Sequence, residues 1–181
     1  MRKIFICISS LLLIMLSLAF LSDNKTSLTF KQAVQNGLIS LNFQGRAYSD
    51  LPDDASGYYG ACLYMRVKNI SGKTLSLRMD NGRILHLLDT DAQDFIITKP
   101  LIMTLNPASE KTSNLYAMCT QMTHWSPGEE DTFNLGPMAG KDLPNLTAFI
   151  DQNNIQKPGK TVSGYSPMLC QSILLKAYPM R

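Results

Sequence analysis

Ala61-Cys62-Leu63-Tyr64-Met65-Arg66-Val67-Lys68-Asn69 sets Cys62, Tyr64 and Arg66 against Leu63, Met65 and Val67, the two-residue alternation of a strand in a layered β domain. Asn69-Ile70-Ser71-Gly72 follows as a turn. Leu75, Leu77 and Met79 then alternate with Ser76 and Arg78, and Asp80-Asn81-Gly82 turns the chain again. An apolar run from Ile84 to Leu88 surrounds His86. Phe95 to Thr98, Leu101 to Leu105 and Asn114 to Met122 continue the series, with Asn106-Pro107 as a further turn. Short strands separated by Gly, Pro, Asn and Asp turns predict a mainly β chain, an immunoglobulin-like β-sandwich with non-local pairings.

Outside this centre the pattern changes. Thr29 to Asn36 places Phe30, Ala33 and Val34 on one helical face, with Thr29 to cap it and Gly37 to end it. Leu38 to Phe43 reads as a strand and Ser49 to Gly60 as a wide loop. Downstream, His124 to Gly140 is a Pro- and Gly-rich loop with a short strand at Thr132 to Leu135. Lys141 to Ile155 carries Leu143, Leu146, Phe149 and Ile150 at helical spacing, with Pro144 in the first turn. Pro158 to Ser166 is a connector. Met168 to Tyr178 reads as a closing helix, with a final strand as the alternative.

The N-terminus has the features of an export signal: Arg2 and Lys3, an apolar run from Ile4 to Leu21, and no acidic residue. Small residues at Ser17 and Ala19 predict cleavage after Ala19, or as late as Ser22, leaving one domain over residues 20–181 with a helical C-terminal part. An uncleaved membrane anchor is the alternative, because the run just reaches spanning length. Once cleaved, the domain has no membrane partner. It is expected in the periplasm or outside the cell.

Loss of Arg2 and Lys3 takes the formal charge of the 181-residue chain from +3 to +1, too neutral for nucleic acid. Loss of Cys7 leaves Cys62, Cys119 and Cys170. An odd number in an oxidising compartment predicts one disulfide and one remaining thiol, with Cys62–Cys119 the first pairing and Cys119–Cys170 the second.

No catalytic motif emerges. Asp89, Asp91 and Asp94 offer carboxylates to a cation, but position five of an EF-hand loop would be Gln93 and no glutamate closes the site, so a solvated acidic turn is the expectation and no metal or other cofactor is predicted. His86 and His124 stand far apart in sequence, without the spacing of a transition-metal site. Cys119 with His124 is a local Cys/His pairing of no known catalytic geometry. Neither a Gly-x-Ser-x-Gly nor a Gly-rich phosphate loop is present. Asn24, Asn69 and Asn145 begin glycosylation triplets. Trp125 and His124, in a loop beside Pro127, are the candidate contact residues, with packing of the indole into the core as the competing reading.

Several features in this order resemble a group of exported bacterial β-sandwich domains, mostly of unassigned function. They are Gly37-Leu38 after a short helix, Val67-x-Asn69, the Gly82 turn, Gln93-Asp94-Phe95-Ile96-Ile97-Thr98, Cys119, Pro127 and Gln171-Ser172-Ile173. The Cys119 and Gln171 segments are also similar to the thioester domains of Gram-positive surface adhesins, in which a Cys and a later Gln join and capture a host amine. In that likeness Cys119 and Gln171 take the two roles. The flanks, Ala117-Met118 before the Cys and Ser172-Ile173-Leu174 after the Gln, differ, and a buried helix-end glutamine is the competing reading.

These readings favour an exported, non-enzymatic binding or accessory domain whose partner is a protein or cell-surface ligand. The alternatives are a secreted hydrolase using a Cys or carboxylate, and a structural subunit that donates or accepts a strand.

Overall fold

The computed structural model describes residues 27–53, 55–88, 93–120, 125–140, 142–155, 162 and 164–177. Residues 1–19, over which a signal sequence is expected, lie outside them, as do His124, Asp89 and Asp91. In chain order the elements are β1 (Leu28–Thr29), α1 (Phe30–Gln35), β2 (Ile39–Gly45), β3 (Tyr59–Asn69), β4 (Leu75–Met79), β5 (Arg83–Leu87), β6 (Phe95–Ile97), β7 (Leu101–Leu105), β8 (Glu110–Cys119), β9 (Thr132–Met138), α2 (Asp142–Gln152) and α3 (Pro167–Ala177). Among the described residues no helix is long and apolar enough to cross a membrane.

Mainly β is what the chain forms, in two sheets, but the larger sheet is not an open layer of a sandwich. Six strands close on themselves in the order β2-β3-β8-β6-β5-β9, every pairing antiparallel, and β1-β4-β7 make a separate small sheet. Closure depends on β9. It pairs with β5 through Leu85↔Leu135 and with β2 through Phe43↔Phe133, joining two edges that an open sandwich would leave apart.

The alternation along each strand divides the core in two. Inside the barrel lie Phe43, Leu63, Met65, Val67, Leu85, Phe95, Leu115, Ala117 and Phe133, with Phe95 and Phe133 edge to face at 5.8 Å. The small sheet and α1 add Phe30, Ala33, Leu75, Leu77 and Leu105 to the same cluster. Ile84, Ile96 and Met118 take the opposite face of their strands. They pack under α2 and α3 against Leu143, Ile150, Cys170 and Leu174. Burial on both faces is why Phe95 to Ile97 is continuously apolar.

Local chemistry places the connections. Thr29 caps α1 reciprocally: its Oγ1 accepts from the Gln32 amide at 3.2 Å and its own amide donates to Gln32 Oε1 at 2.9 Å. Asn69 is fully buried. Its Nδ2 donates to the carbonyls of Lys73 and Asn106 at 2.8 and 3.0 Å, tying the barrel to the small sheet, and this burial removes it as a glycan acceptor. Gly82 turns between β4 and β5 at φ +79°, and a Cβ there would meet Pro144 of α2 at 3.0 Å. Asn81 Nδ2 reaches Pro144 O at 3.3 Å and Thr147 Oγ1 at 3.2 Å, fixing α2 to that turn.

Candidate functional site

One mouth of the barrel is formed by the ends of β2, β8 and β5 and the beginnings of β3, β6 and β9, as their registers require. Cys119 is the last residue of β8. It is fully buried, opposite Phe95, and its amide donates to Tyr58 O at 2.9 Å.

From the other side comes α3. Ser166 Oγ accepts from the Leu169 amide at 3.2 Å and Pro167 occupies the first turn, so the helix begins abruptly. Cys170 and Leu174, four residues apart, bury one stripe of it against the barrel wall. Gln171, next to that stripe and half-buried, sets its side-chain amide directly on the Cys119 thiol, Nε2 against Sγ.

The disulfides expected within Cys62, Cys119 and Cys170 are not made, and all three are thiols. Cys170 belongs to the cluster under the helices, whereas Cys62 and Cys119 belong to the barrel interior. Cys62 Sγ donates instead to Ala117 O at 3.8 Å. Burial, then the neighbouring Cys119, pushes the Cys62 thiol far above its ordinary range, and burial also raises Cys170. Neither thiol is a poised nucleophile.

The two loops expected at Ser49 to Gly60 and His124 to Gly140 meet at this mouth. The stretch from Trp125 to Asp131 lies across Gly45 and Gly57: the Gly45 amide donates to Asp131 O at 2.9 Å, and a Cβ on Gly57 would meet Ser126 at 2.8 Å. Gln93 is buried beneath and its Nε2 donates to Trp125 O at 3.3 Å. The Trp125 indole itself is displayed, at 81% exposure, so the packed reading does not apply to it.

Asp94 is a structural acceptor here. Its carboxylate takes His86 Nδ1 at 2.8 Å and the Leu87 amide at 3.0 Å, while its carbonyl holds the Thr120 amide at 2.9 Å, next to Cys119. No cluster of metal-binding side chains exists among the described residues. The His86–Asp94 pair was not legible in the sequence. It follows from the register, which continues Ile84↔Ile96 by two residues into the next outward-facing row.

Comparison with family models, with curated proteins and with solved structures returns no match.

Proposed function

We propose that this is an exported binding domain that captures its partner covalently, through an internal thioester between Cys119 and Gln171. The observation that carries the reading is the Gln171 side-chain amide seated on the buried Cys119 thiol. A carboxamide and a thiol are inert to each other in water. Held in contact they react with the effective concentration of an intramolecular pair.

In the first step Cys119 Sγ adds to the Gln171 side-chain carbonyl carbon. The carbon–nitrogen bond breaks and the thiol proton leaves with the nitrogen as ammonia. In the second step a primary amine of the partner attacks the thioester carbonyl, an amide forms at Gln171, and Cys119 regains its proton. No cofactor or oxidant enters either step. Burial of the sulfur supports a bond kept from water, and the half-buried Gln171 at a loop-lined mouth supports access for a partner. The event is a single capture, which fits a binding module without catalytic turnover. Export rests on the N-terminal signal pattern, and a surface or periplasmic setting supplies partners with exposed amines.

The test is intact mass. Freshly purified protein is expected one ammonia lighter than Cys119→Ser or Gln171→Ala relative to their own sequences, and methylamine should add once to the native protein alone. A wild-type chain at full mass, unreactive to methylamine, would falsify the reading.

A further inference from the structure

A second site lies on the outer wall of the barrel and contains neither Cys119 nor Gln171. Where β2, β3 and β8 run side by side, the register aligns Asn42, Arg66 and Thr112 in one row and Gln44, Tyr64 and Asn114 in the next. A hollow of about 330 Å³ opens over these rows, lined also by Gly45, Ala47, Asp50 and Glu129. That is the lower end of the size range of small-molecule sites, roughly 300–1,000 Å³.

Its wall is built rather than incidental. Arg46 is nine-tenths buried behind it. The guanidinium lies 4.2 Å from the centre of the Tyr64 ring, donates to Asn114 Oδ1 at 3.1 Å, and also donates to the Asp50 carbonyl. Arg46 Nε is buried and has no hydrogen-bond partner among the described residues. Gln44 donates to the Glu129 backbone carbonyl, which fixes the loop side of the hollow.

The lining selects a ligand class. Amides at Asn42 and Gln44, a hydroxyl at Thr112, carboxylates at Asp50 and Glu129 and the Arg66 guanidinium supply donors and acceptors in several directions. Charges of both signs are present and Arg66 already faces Glu110 at 3.7 Å, so no single sign of ligand is favoured. One face of the Tyr64 ring carries the Arg46 guanidinium, so the apolar surface it offers the hollow is its other face and edge. A ligand matching this set is neutral, carries many hydroxyls and has one apolar face. We propose that the hollow over Asn42, Gln44, Tyr64, Arg66 and Thr112 binds a saccharide, of about one to two sugar rings by its volume.

This site shares Gly45 and Glu129 with the loop-lined mouth but contains neither Cys119 nor Gln171, so it stands or falls apart from the thioester reading. The experiment is saturation-transfer NMR with the methyl glycosides of glucose, galactose, mannose and N-acetylglucosamine, with inorganic phosphate and spermidine as charged controls. Intact mass is measured on the same sample, so failure at Cys119 and failure here are seen separately. At least one glycoside should receive saturation at its ring protons. Asn42→Ala with Thr112→Ala, both exposed positions, should weaken that binding about tenfold or more, while the melting temperature and the mass difference from the variant's own sequence stay as in the parent. Transfer to none of the four glycosides overturns the proposal. So does transfer unchanged in the double variant, or a response to phosphate or spermidine alone.

Discussion

Cys62 and Cys119 are chemically alike in the sequence and are separated by what each sulfur touches. Cys119 meets a carboxamide; Cys62 meets a backbone carbonyl in the barrel interior. The buried Cys62 thiol keeps its proton in the folded state beyond the ordinary value of 9.0, whereas the unfolded thiol ionises near it. The unfolded chain therefore binds fewer protons above that pH, and stability falls as pH rises. Thermal unfolding followed from pH 8 upward should show a decline beginning near pH 9 that is shallower in Cys62→Ala, by up to about 1.4 kcal/mol per pH unit. Equal slopes in the two proteins would remove Cys62 as the cause. The truncation leaves the Cys119–Gln171 contact untouched, so the ammonia deficit should persist in Cys62→Ala.

Gly82 is the other residue whose identity is imposed by position. A side chain there meets a left-handed φ and the ring of Pro144 together. Gly82→Ala should cost about 1–3 kcal/mol in urea unfolding, and a loss within about 0.5 kcal/mol would mean that α2 yields freely.

At the scale of elements, α3 matters for where it holds Gln171. Leu174 is fully buried under the helices, so Leu174→Ala should cost about 2–5 kcal/mol and loosen the docking of α3. The fraction of protein lacking one ammonia should fall with it. Leu77→Ala, in the small sheet at the far side of the core, offers a comparable cavity without touching α3. Its destabilisation should leave that fraction unchanged; an equal drop in both variants would show that global stability alone governs bond formation.

α1, the turn at Gly82, most strands and both C-terminal helices are readable from their residues, because caps, turn residues and side-chain period act over a few positions. Thr29 before α1 and Gly37 after it are such local signals. The pairing of His86 with Asp94 is not, since it requires knowing that β5 and β6 are neighbours and in which register.

For the whole molecule, a bond between Cys119 and Gln171 would tie barrel to helix across 52 residues of chain. By the loop-entropy model used for disulfides, such a cross-link stabilises by about 4 kcal/mol through the unfolded state. Opening it with methylamine should lower the melting temperature in calorimetry, whereas Gln171→Ala should be insensitive to the same treatment. A methylamine adduct with an unshifted melting temperature would indicate that the cross-link adds no constraint.

By itself the sequence determined that the chain is mainly β and where most of its turns and helices fall, whereas the disulfide it predicted among Cys62, Cys119 and Cys170 is not made. The first two are properties of neighbouring residues. Closure into a barrel, the meeting of two loops at one mouth, the hollow over Asn42 and Tyr64, and the choice of Gln171 rather than another cysteine as the partner of Cys119 were decided by the tertiary structure. Each depends on pairings between residues tens of positions apart. Strand alternation says which side chains share a face, but only the register says which of them touch.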